Sequence, residues 1–195
     1  MSKSDPSASK KENRRYIRWV ITIFLVTILI SGLISLGSEE LMANSNMAVA
    51  FLILLVIVLV GILFDIIGMA VASADEKPFH SMAARKVPGS QEAIALLRNA
   101  ERVSSICNDV IGDICGVVSG SASATIAAQI IHNFDFSWPR LISLLMSALV
   151  AGFTVGGKAM GKRVAINSCT SIVHAVGKIV YRIRMIPNLF RRQKL

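Results

Sequence analysis

Two stretches, Val20–Leu36 and Leu41–Phe64, contain no charged residue. Each is about long enough to cross roughly 30 Å of hydrocarbon at about 1.5 Å per residue. With two later apolar runs they predict four transmembrane helices, at 16–36, 47–74, about 103–131 and about 138–157. The first two are joined by "GSEELMANSN" (37–46), read as a short loop. The last two are joined by "HNFDFSWPR", read as a tight turn with aromatic anchors. Tyr16 and Trp19 mark the first membrane interface.

The segments between and after these runs have another rhythm. Residues 75–102 are charged and amphipathic and are interrupted by Pro78 and by Pro88-Gly89, which predicts two short juxtamembrane helices. Ala93, Leu96, Leu97 and Ala100 share a face of the second. Beyond the fourth span, Ile172, Val173, Val176, Ile179, Val180 and Ile183 form one helical stripe in a basic background. That pattern predicts a belt helix over 163–185 lying in the interface plane. Residues 1–15 read as a disordered basic tail, with no cleavable signal peptide. The expected fold is therefore an all-α integral membrane protein. It has four transmembrane helices, cytoplasmic juxtamembrane helices and a C-terminal amphipathic interfacial helix.

Charge adds orientation. The net charge is +9 over 195 residues. In a soluble chain that would suggest nucleic acid. Here the basic residues flank apolar runs, so anionic lipid headgroups are the expected partner and nucleic acid is not. Lys and Arg number six in residues 1–18, five in 75–102 and nine in 158–195, and none in 37–46 or 132–137. Both termini are expected in the cytoplasm, with the protein in the plasma membrane. The odd set Cys107, Cys115 and Cys169 has neither disulfide nor zinc spacing and reads as small apolar packing residues. His132 and His174 have no ligand-spaced partners and are assigned no role. No nucleophile–base pair, phosphate loop or metal-hydrolase motif is present, so no enzyme is expected.

Two patterns inside the spans call for a cause. Gly112, Gly116, Gly120, Ala124 and Ala128 recur every four residues, on one face of the third span. Ser147 and Ala151, with Gly152 and Gly156 on a neighbouring line, do the same in the fourth. Small residues at this spacing let helices approach closely. The faces either pack against each other within one chain or form a homodimer seam.

The second pattern is acidic. Asp109 and Asp113 are four apart, with Ser105 on their line and Asn108 beside it, and Asp65 ends the apolar stretch of the second span. An acid in a span marks an ion path or a protein contact. Oxygen-only ligands suit a hard cation such as Mg²⁺ or Na⁺ as a carried ion, with no tightly bound cofactor. On this reading Asp65, Ser105, Asn108, Asp109 and Asp113 bind a cation, and Asp65 and Asp113, at similar depth on antiparallel helices, hold the metal between them. The plainer alternative seats Asp109 at the wet interface, paired with Arg or Lys.

"FDIIGMAV" (64–71), "AIALLRNAERVSSI" (93–106), "IGDI" (111–114), "GGKAMGK" (156–162) and "AVGKIVYRI" (175–183) occur in this order. In order and spacing, residues 47–190 resemble the transmembrane domain of the cyclin M / CorB–CorC magnesium transporter family. The first span, 16–36, is additional to that domain. The resemblance implies a dimeric cation carrier of spans, juxtamembrane helices and a belt helix. The family's Ser-Glu-Thr falls on Ile67, Gly68 and Met69, its Gly-Glu on Gly156-Gly157 and its Asn-Asn on Asp113-Ile114. Its cytosolic regulatory domains are expected to be lacking. An ion site would therefore be rebuilt around Asp65 and Asp113, or lost. The expected function is a membrane cation transporter, of Mg²⁺ by the resemblance. The alternative is a non-transporting scaffold, or a subunit of a larger complex with other membrane partners.

Overall fold

The computed structural model describes residues 6–43, 45–134 and 138–192. Helix α1 runs Pro6–Ala43 and α2 runs Met47–Ser73. Three short helices follow: α3 Lys77–Ala84, α4 Ser90–Arg98 and α5 Ala100–Ser105. A π-helical segment, Ile106–Gly112, leads into α6 Asp113–Phe134. Then come α7 Pro139–Asn167 and α8 Cys169–Arg192. Four of the resulting helices are long and apolar enough to cross a membrane: Ile17–Met42, Met47–Ser73, Ala100–Asn133 and Pro139–Asn167. The chain is a membrane protein with four transmembrane helices.

Local chemistry sets the joints. Asn46 caps α2, its side-chain oxygen accepting from the Val49 N–H at 3.1 Å. Pro78 and Pro139 sit in the first turns of α3 and α7, where a missing N–H costs nothing. Gly89 enters α4 at φ 84°, and a Cβ there would lie 2.6 Å from the Lys178 nitrogen of α8. Both the left-handed turn and the close crossing require glycine.

Several boundaries differ from those expected. Helix α1 starts at Pro6, inside the segment read as a tail, of which residues 1–5 lie outside the described residues. Proline is at home in a first helical turn, and the Lys- and Arg-rich stretch behind it favours helix. The segment 37–46 is mostly helix, since α1 continues to Ala43. Ser38 and Met42 are buried, and Gln129 Nε2 donates to the Met42 carbonyl at 2.9 Å. The fourth transmembrane helix extends ten residues past Gly157, and the expected belt helix begins only at Cys169, after a break at Ser168. The Tyr16 side chain and part of the 132–137 turn lie outside the described residues.

Two apolar clusters hold the chain together. One joins the end of α2 (Ala70, Val71) to Phe79, Ala93, Ile94 and Leu97 of α3 and α4, Ala165 of α7 and Val173 of α8. These form a platform at one end of the bundle. The other, at the opposite end, contains Met42, Ala50, Leu54, Val58, Ala122 and Ile126. The candidate site lies between them.

Candidate functional site in the α2–α6–α7 seam

Helix α2 and the third span run antiparallel, and between the two clusters they interlock by alternation. A Cβ on Gly68 would overlap Asn108 Oδ1. A Cβ on Gly112 would lie 3.7 Å from Asp65 Oδ1. A Cβ on Gly61 would lie 2.8 Å from Cys115 Cβ. Three times in succession a side chain of one helix thus meets a glycine of the other, twice from the third span (Asn108, Cys115) and once from α2 (Asp65), with spacings of three and four that keep each set on one helical face. Glycine is what lets polar and sulfur-bearing side chains enter a close-packed seam.

Helix α7 closes the seam from a third side. Gly157 and Gly161 receive Ile62 and Ile66 of α2, the latter at 2.6 Å from a Cβ on Gly161. This register delivers Lys158, whose Nζ lies 3.3 Å from Asp65 Oδ1 and 3.4 Å from a Cβ on Gly112. The two side chains retain 28% and 16% of their exposure, so the pair is mostly but not wholly withdrawn. From Asp65 to the end of α2 at Ser73 the helix rises about 12 Å at about 1.5 Å per residue, so the pair sits well inside the span.

Asn108 adds an unfinished polar group. Its Nδ2 donates to Ser104 Oγ at 3.3 Å, but its Oδ1 is buried in the Gly68 notch with no hydrogen-bond partner among the described residues. A buried acceptor without a donor costs about 1–3 kcal/mol unless something else fills the role. It stands one turn from Asp65 along both helices, on π-helical backbone. Such segments are rare and recur at functional positions. His174, to which the sequence assigned no role, also has a buried Nε2 without a partner.

The other expected ligands do not join this seam. Asp113 is exposed, and it makes no hydrogen bond or ion pair with the described residues. Asp109 is exposed too and accepts from Ser105 Oγ at 2.8 Å. Asp65 and Asp113 therefore do not face one ion together. Depth alone does not set facing: Gly112 faces Asp65, and the next residue on a helix is turned away by about 100°. Among the described residues no group of three or more His, Cys, Asp or Glu could hold a metal. The seam thus resembles no closed metal centre; it has one carboxylate, one amide oxygen and a lysine.

The small-residue ladder also divides. Gly112 belongs to the seam, whereas a Cβ on Gly116 or Gly120 would meet nothing within 4 Å, and Ala124 and Ala128 are exposed. Gly152 and Gly156 of α7 are equally open, and Ser147 and Ala151 are exposed. The two faces do not pack against each other within the chain. The buried face of α6 is instead Ile114, Val118, Ala122 and Ile126, with Ser119 and Ser123, whose hydroxyls donate to the Gly116 and Gly120 carbonyls of their own helix.

Sequence reasoning missed Lys158, which it counted with the basic tail. The signal was present: it follows Gly156-Gly157 without a break in helix-forming residues. The cysteines fit a packing role, Cys115 against Gly61 and Cys107 buried. No protein-family model, curated protein or solved structure matches the chain.

Proposed function

We propose that the chain is a membrane carrier of a hard cation, with Asp65 and the Asn108 amide oxygen as its protein ligands. The observation that carries this reading is the buried, unpartnered Oδ1 of Asn108, one turn from an intramembrane carboxylate. An amide oxygen and a carboxylate are hard donors. Mg²⁺ is held through one or two carboxylates while keeping several waters, so so small a ligand set suits an ion that must also leave. The family resemblance of residues 47–190 makes Mg²⁺ the first ion to test. The Lys and Arg bias supports cytoplasmic termini, with the platform and α8 against anionic headgroups of the plasma membrane.

Uptake of Mg²⁺, Mn²⁺ and Na⁺ into liposomes containing the purified chain tests the reading. Wild type carries at least one of these ions, and Asp65→Asn abolishes the flux while the protein remains folded. Absence of flux for all three from folded wild-type protein rejects it. Replacing Asp109 and Asp113 together by Asn tests the seam assignment: flux survives if the seam holds the ion and is lost if the outward acids do.

The second reading is a non-transporting scaffold or subunit, favoured by the open small-residue faces of α6 and α7. Both readings share a homodimer seam along Gly116, Gly120 and Ala124. In the scaffold reading, association without flux is the whole function.

A further inference from the structure

We infer that Lys158 is a tethered counter-ion: its ammonium occupies the cation position on Asp65, and an incoming cation binds by displacing it. The inference rests on the carrier reading and assigns this residue a part in binding and release. Three observations support it. First, Lys158 Nζ is placed as an ion would be, 3.3 Å from one carboxylate oxygen of Asp65 and against the Gly112 surface. Second, the backbone that carries it is fixed and its charge is not. Gly157 and Gly161 lock α7 to Ile62 and Ile66, while the lysine leaves from between them on a flexible four-carbon stem. Third, the side chain keeps 28% of its exposure, so it is not sealed into the seam.

Charge makes the exchange compulsory. Asp65 and Lys158 together are neutral. A divalent ion added beside an unmoved lysine would put three positive charges against one carboxylate in a poorly hydrated seam, where like charges repel strongly. When Lys158 swings out, the ion meets Asp65 and the Asn108 oxygen. When it swings back, the ion is expelled. Lys158 thereby weakens resting affinity and speeds release, which a carrier needs and a storage site does not. No bond is made or broken, and no proton need move.

The test is calorimetric titration of the whole 195-residue chain, purified in detergent, with MgCl₂ and separately with NaCl. Lys158→Gln binds the carried ion at least about tenfold more tightly than wild type, a modest share of the Coulomb energy of a pair at this distance. In liposomes the same variant turns over more slowly. Lys158→Arg keeps the charge and grips the carboxylate through two donors, so it binds the ion more weakly than wild type. Lys162→Gln, an exposed lysine one turn further along α7, matches wild type and separates local competition from general surface charge. Should Lys158→Gln fail to fold, the Arg variant decides alone: affinity equal to wild type overturns the inference. If wild type carries an ion and Lys158→Gln binds it no more tightly, the inference falls and the carrier reading stands. If Lys158→Gln binds Mg²⁺ through Asp65 but neither protein shows flux, the inference stands and the carrier reading falls. If no variant binds any ion, both fall.

Discussion

The glycines of the spans form two populations that the sequence spaces alike and the fold treats oppositely. Gly61, Gly68, Gly112, Gly157 and Gly161 each abut a neighbouring helix; Gly116, Gly120, Gly152 and Gly156 meet nothing within 4 Å. Gly112 and Gly116 are a single turn apart on one helix, yet only the first belongs to the seam. The difference lies in what faces them. A glycine counts toward the fold of the single chain only where the partner helix supplies a side chain to enter it: Asn108, Asp65, Cys115, Ile62 or Ile66. The open set has no such complement among the described residues, so its faces are left free for an association outside the single chain.

This contrast can be broken most directly at Gly61 and Gly68. Leucine at either collides with Cys115 or Asn108, and overpacking of this kind costs about 1–3 kcal/mol or more. Thermal melting in detergent shows it as a clear loss of stability or of folded yield. Melting equal to wild type would mean the seam is loose.

The ion pair comes next. Asp65→Ala leaves Lys158 without its partner, a change worth about 2 kcal/mol after discounting the usual cost of an orphaned buried charge for the remaining exposure. The double variant with Lys158→Ala recovers most of that loss, because no charge is then stranded. Losses that simply add would show the two groups to be uncoupled.

Gly116→Leu gives the smallest effect on the chain itself, within about 0.5 kcal/mol, as for exposed positions elsewhere. Its effect is on assembly: sedimentation in detergent shows loss of the dimer if the open face is a seam. A variant that melts as early as Gly68→Leu would erase the distinction between the two populations.

How much of this was legible follows from what sets each feature. The spans could be read because each is built around a long uncharged run, and membrane burial depends on composition along the chain. The equal depth of Asp65 and the third-span polar residues could be read from numbering. Azimuth could not: Asp113 and Gly112 are adjacent in sequence, and whichever faces α2 is decided by packing across the helix pair. The π-helical turn at Ile106–Gly112 leaves no trace in a pattern of threes and fours. Lys158 was hidden because the apolar run of the fourth span ends at Gly157, whereas a helix carries a charge inward when a partner waits. The pairing of Gly61 with Cys115 needs both helices at once.

The outward acids have a consequence for the lipid as well. Asp109 and Asp113 lie on the surface of a single chain, exposed one turn apart at the start of the third span. Where that face meets hydrocarbon, a lone copy must draw water and headgroups inward to solvate them, thinning the leaflet there. The work of that deformation grows with the thickness of the surrounding membrane. Bilayer thickness therefore acts on this protein as a control variable: thin membranes tolerate the solitary chain, and thick ones favour whatever arrangement covers the stripe.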